Sequence, residues 1–161
     1  MPAEVVDAAT EEANLKFLNS LSFTIHIKIE TYTQLPLLNQ FVAPGIQPTE
    51  ISIDRGRVGW WNSEISDMEY LTEEQWNRPA LHRKEFVLKN ALDEDHNDES
   101  KTFTAPNGNF FTVRDMVDIV EAFEREFRVK SDWFGGVDAH HIFYEGFFQY
   151  EDGSFGISWG S

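Results

Sequence analysis

The sequence predicts an α+β domain: an antiparallel sheet with one long amphipathic helix at about 113–128, short helices packed on one face, and a C-terminal β-hairpin. Three observations predict it. Residues 21–30 alternate strictly, with Leu21, Phe23, Ile25, Ile27 and Ile29 apolar and every even position polar, which is a strand with one wet face. Residues 112–128 carry a helical apolar stripe of Val113, Met116, Val117, Val120, Phe123 and Phe127. Residues 139–159 hold two aromatic and β-branched runs around Glu151-Asp152-Gly153-Ser154, a hairpin with its turn. At 161 residues the chain is read as a single globular domain, 1–161, with residues 1–9 expected as a frayed end.

In chain order, residues 10–19 read as a short helix with Thr10 as its N-cap. His26 falls on the polar face of the first strand. Residues 31–49 contain Pro36, Pro44, Gly45 and Pro48 and read as a long loop or irregular edge strand. Strands at 50–53 and 58–61 are expected to flank Asp54-Arg55-Gly56-Arg57, with Gly56 supplying a positive φ for a tight turn. Thr72 and Gln75 have capping-box spacing, so a short helix starts there and ends near Pro79. Residues 85–92 read as a strand, and 93–100 as an acidic loop. Thr112 and Asp115 cap the long helix, which the pairs Glu121–Arg125 and Glu124–Arg128 support at i,i+4 spacing. Every residue on that helix has a structural reading.

Composition excludes several functions. Twenty-eight acidic side chains against thirteen basic ones leave a net charge of −15. A chain so acidic has no surface for neutralising phosphates, which argues against nucleic acid and against an anionic membrane leaflet. No cysteine is present, so there is no thiolate nucleophile and no disulfide. Residues 1–20 have neither a basic nor an apolar targeting region, and the uncharged run 31–49 carries too many prolines and amides to cross a bilayer. The expectation is a soluble, cytoplasmic protein. Phosphate-binding glycine loops, the G-x-S-x-G elbow and the H-E-x-x-H metal motif are all missing.

The acidic loop invites comparison with a calcium-binding EF-hand. Asp93, Asp95 and Asn97 fit its first ligand positions, but Asp98 stands where glycine is needed and Thr104 where the bidentate glutamate belongs. A solvated loop is the better reading, and neither cofactor nor metal is expected.

Chemistry is most concentrated in residues 131–161. This block has five carboxylates, no Lys or Arg, and nine aromatics. On a regular strand Asp138, His140 and Tyr144 would share one side, and His141, Phe143, Glu145 and Phe147 the other. Two dyads follow, Asp138 with His140 and His141 with Glu145, and the two histidines would not act together unless a bulge intervened. A carboxylate beside an imidazole fixes its tautomer, the usual preparation of a general base. Asp138 with His140 also offers two metal ligands, without a third. The candidate catalytic residues are therefore Asp138, His140, His141, Tyr144 and Glu145. Candidate ligand-binding aromatics are Trp60, Trp61, Trp133, Phe143 and Phe147, and Trp60-Trp61 would place one indole on each face of a strand. Two functions follow. One is an acidic binding or regulatory domain that recognises a protein or a small apolar ligand, presenting an apolar patch rimmed by acids. The other is a small acid–base enzyme of isomerase, cyclase or dehydratase type, with an aromatic pocket lined by the C-terminal hairpin.

Overall fold

The computed structural model describes residues 7–28, 37–38, 41–42, 50–91, 99–130 and 138–161. Helix α1 (Ala8–Asn19) starts two residues before the expected point. Its N-cap is Asp7 rather than Thr10: the Asp7 carboxylate accepts from Thr10 N at 2.7 Å, and this bond lowers its pKa. An ionised acceptor ahead of the first turn is a stronger cap than a hydroxyl inside it.

Strand β1 (Ile25–Lys28) pairs antiparallel with β4 (Glu50–Ile53), from Ile25 opposite Ile53 to Lys28 opposite Glu50. The alternation expected for the first strand holds, with Leu21, Phe23 and Ile25 buried and His26 exposed. Between β1 and β4, β2 (Leu37–Leu38) pairs with β3 (Phe41–Val42). The turn at 54–57 differs from expectation. Arg55–Arg57 is a single 3-10 turn capped by Asp54, and Gly56 needs no positive φ. The flanking strands separate, because Ile51 and Ile53 bury against β1 while β5 (Gly59–Asn62) takes β6 (Asp67–Tyr70) as partner.

Helix α2 (Glu73–Trp76) has the full Thr72/Gln75 capping box. It leads into β7 (Pro79–Leu81), which pairs with β10 (Phe111–Thr112). Strand β8 (Glu85–Lys89) pairs with β9 (Ser100–Thr104). Helix α3 (Val113–Phe127) has the Thr112/Asp115 capping box, and all six stripe residues are buried. The hairpin of β11 (Phe143–Gln149) and β12 (Phe155–Gly160) closes the chain. Its strand β12 also meets β8 in parallel at Phe155 and Leu88, giving the order β11-β12-β8-β9. The fold is α+β and, among the described residues, its ladders are antiparallel apart from that contact, although several small ladders replace one continuous sheet.

Two links gather the ladders around the core. Ser22 bridges to Gly59 and Thr24 to Phe143, so the approach to β1 touches both β5 and β11. At Gly59 a Cβ would fall 1.8 Å from the Glu69 carbonyl oxygen, so only glycine allows the crossing. Phe86 is an aromatic hub, edge-on to Phe111 at 5.0 Å and to Phe155 at 5.8 Å. Burying each such ring contributes roughly 1.5–3 kcal/mol. Among the described residues no helix is long and apolar enough to cross a membrane.

Candidate functional site

The predicted catalytic block is organised by a buried cation. Arg128, 1% exposed, follows α3 directly. Its Nε donates to Glu124 at 2.9 Å and its Nη1 to the Asp138 carbonyl at 2.9 Å, while the guanidinium stands 5.0 Å from the centre of the Trp159 ring. Asp138, 2% exposed, is held from the same side. Its Oδ1 accepts from the backbone of His140 at 2.8 Å and of His141 at 3.0 Å, and its Oδ2 lies 2.7 Å from His141 Nδ1.

This arrangement corrects the expected dyads. The partner of Asp138 is His141, not His140, because β11 begins only at Phe143 and residues 138–141 form a turn in which the carboxylate caps two amides. The turn also brings the two histidine rings together, 4.8 Å apart and steeply inclined, where regular alternation would have separated them. Glu145 does not reach His141. It lies over Gly160, where a Cβ would fall 2.0 Å from its Oε1.

The strand alternation assumed for β11 fails at one place. Tyr144 faces Trp159 and Phe147 faces Ile157, so Glu145 and Gly146 together oppose Ser158 in a β-bulge. Gly146 takes φ +107°, and a Cβ there would press on Asn19 at 3.2 Å. The Asn19 side chain accepts from Phe147 N at 2.9 Å and holds the bulge. As a result Tyr144 and Phe147 are both buried. Tyr144 stacks on Phe23 at 4.3 Å and donates to the Leu18 carbonyl at 3.1 Å, and burial pushes its pKa well above 10. It is a core phenol, committed to packing.

The expected aromatic binding residues are dispersed. Phe143 is exposed, Phe147 is in the core, and Trp133 lies outside the described residues, as do Gly135, Gly136 and residues 93–98 of the acidic loop. Two cavities of about 300 and 290 Å³ flank Arg83, and none of the nine described candidate residues lines either. No three metal-ligating side chains converge among the described residues.

Trp60 and Trp61 do separate as the strand requires. Trp60 is half-buried, inclined to Phe17 with ring centres 6.3 Å apart, and Trp61 is 60% exposed. Trp61 lies opposite Met68, and Gly59 opposite Tyr70, so Trp61, Met68 and Tyr70 share the outer face of the β5–β6 hairpin. Tyr70 is 47% exposed, and Ile65 at the hairpin tip is 58% exposed. Glu64 and Asp67 are exposed beside it. Of this hairpin only the two indoles are among the candidates named from the sequence. The turn-forming residues Asn62, Ser63, Ser66 and Asp67, followed by Met68 and Tyr70 at strand spacing, are the signal that marks the rest of the hairpin.

No family model, curated protein or solved structure matches this chain.

Proposed function

We propose that this protein is a binding module that recognises a protein surface through the outer face of the β5–β6 hairpin. The observation that carries this reading is the grouping of Trp61, Ile65 and Tyr70, three of the most exposed large apolar side chains, on one two-stranded projection. Large exposed aromatics edged by polar groups are typical of interface anchors. The charge around them indicates the partner. At the hairpin tip Glu64 and Asp67 are exposed, and no Lys or Arg falls between residues 58 and 77. The matching surface has an apolar hollow for an indole, bordered by Lys or Arg.

The test is peptide selection from a displayed random library on the full chain, followed by affinity measurement against wild type and Trp61→Ser. Enrichment of sequences with basic residues around an aliphatic or aromatic core supports the reading, provided Trp61→Ser weakens binding about tenfold or more and added salt weakens it further. Peptides that bind the variant equally well would refute it. So would sedimentation showing that the hairpin face is occupied by a second copy of the chain.

A second reading, the acid–base enzyme, is favoured by the short Asp138–His141 contact, which orients a half-exposed imidazole. It requires small aromatic compounds to bind at His141. A titration that leaves the His141 ring resonances unmoved would remove it.

A further inference from the structure

The larger cavity lies where α1 faces β7 and the C-terminal hairpin, and its lining includes none of the residues given a functional role above. Its walls carry unlike charges. Glu11 and Glu12 stand on the helix side, and Arg83 on the strand side. Among the described residues none of the three is in an ion pair. Arg83 is nonetheless fixed in place: one Nη donates to the Gly153 carbonyl at 3.2 Å, and the guanidinium sits 5.0 Å from the centre of the Phe155 ring. Most of its N–H groups remain to meet a carboxylate. The apolar wall is Leu15, Ala80, Leu81 and Phe155.

A part-buried polar chain ends at the same cavity. Asn14, 8% exposed, sits on α1 between Arg78 and His82. Arg78 Nε can only donate, and it lies 3.1 Å from Asn14 Oδ1. The amino group of Asn14 therefore turns to His82 Nε2, 2.8 Å away, and the His82 proton resides on Nδ1. Arg78 is itself seated 4.2 Å from the centre of the Phe17 ring. An apolar residue at position 14 would satisfy the packing of α1, whereas Asn14 fixes the ring and tautomer of a cavity-lining histidine. Such a polar chain specifies geometry more than it adds stability.

The geometry points to a binding site for a small zwitterion with an apolar side chain, namely a free aliphatic or aromatic α-amino acid. Its ammonium group meets Glu11 and Glu12, its carboxylate meets Arg83, and its side chain covers Leu15, Leu81 and Phe155. A cavity of about 300 Å³ is at the small end of ligand pockets, which run to about 1,000 Å³. The paired carboxylates disfavour a phosphate or a fatty acid, and Arg83 disfavours a simple amine. The site stands independently of the hairpin reading.

Amide NMR titration of the full chain with L-leucine and L-phenylalanine tests it, alongside phenethylamine, 3-phenylpropionate and N-acetylphenylalanine. The expected result is binding of a free amino acid, with shifts centred on residues 8–15 and 80–83. Each analogue lacking one charge should bind about tenfold or more weakly. Arg83→Gln should lower affinity for the amino acid to that for the amine, and Glu12→Gln to that for the acid. Both positions are exposed, so the variants should keep the wild-type amide spectrum elsewhere. The proposal is overturned if no compound shifts the cleft amides at about 10 mM, if one-charge analogues bind equally, or if Arg83→Gln leaves affinity unchanged.

Discussion

The turn around Asp138 and the β5–β6 hairpin both place carboxylates beside aromatic rings, and they use them in opposite ways. Near Asp138 the polar groups face inward. Arg128 and Glu124 are paired in the interior, Asp138 caps two amides and holds His141, and Trp159 covers the guanidinium. On the hairpin Trp61 and Tyr70 face outward, and Glu64 and Asp67 at its tip stay in water. Composition by itself would rank the first region higher, since it has more aromatics and both adjacent histidines. Burial reverses the order for a binding surface: a group that is enclosed and held by its own chain offers little to a partner, and an exposed indole has nearly everything left.

The largest expected effect lies in the buried region. Arg128→Ala leaves the buried Glu124 without its partner and frees the Asp138 carbonyl, so the loss should be about 3–5 kcal/mol in urea unfolding. Arg128→Met, which fills much of the same volume, should lose similar stability unless Glu124 is replaced too, and the double variant Arg128→Met with Glu124→Leu should recover a substantial part. A loss under about 1 kcal/mol for Arg128→Ala would mean that the guanidinium is not the organiser of this turn. The bulge comes next. Gly146→Ala demands a positive φ from an alanine and pushes on Asn19, and should cost about 1–3 kcal/mol. Little or no loss there would show that β11 can take a regular register.

The same contrast explains what the sequence could disclose. Helix α3, the capping box of α2 and the alternation of residues 21–28 rest on neighbours within one or two turns, and such signals are local. The bulge is not local. Glu145-Gly146 reads as ordinary strand until Asn19, from the other end of the chain, accepts from Phe147 N. The Asp138–His141 pairing was hidden for a related reason: a face assignment made for a strand has no meaning in a turn. Asn14, Arg78 and His82 meet across 64 and 68 residues, and no spacing rule connects them.

A smaller effect joins the two regions. Arg55, four residues before the start of the β5–β6 unit, is bound by Glu121 and Asp118 of α3, and Glu121 also accepts from Ile53 N at 2.8 Å. Burial of Glu121 raises its pKa, but the Arg55 and Ile53 hydrogen bonds outweigh this and leave it below the usual value of 4.5. A depressed carboxylate pKa stabilises the fold above the unfolded-state value, and that stability is lost as pH falls through the folded value. Glu121→Gln should therefore cost about 1 kcal/mol at pH 7, with the gap from wild type closing below pH 4.5. A gap that stays constant under acid would assign the loss to packing instead of charge.

The smallest effect is the most informative about the hairpin. Trp60 and Trp61 are adjacent and chemically identical, and they differ only in which face of β5 they occupy. Trp60→Ser removes a half-buried ring from beside Phe17 and should cost about 2 kcal/mol. Trp61→Ser removes a ring that is 60% exposed, and should change stability by no more than about 0.5 kcal/mol. Equal losses would mean that Trp61 is a packing residue, and the hairpin would then have no anchor to offer a partner. A near-zero loss together with weakened peptide binding separates recognition from folding at a single position. It would also give the two neighbouring indoles their distinct roles, one holding β5 to α1 and the other presented outward.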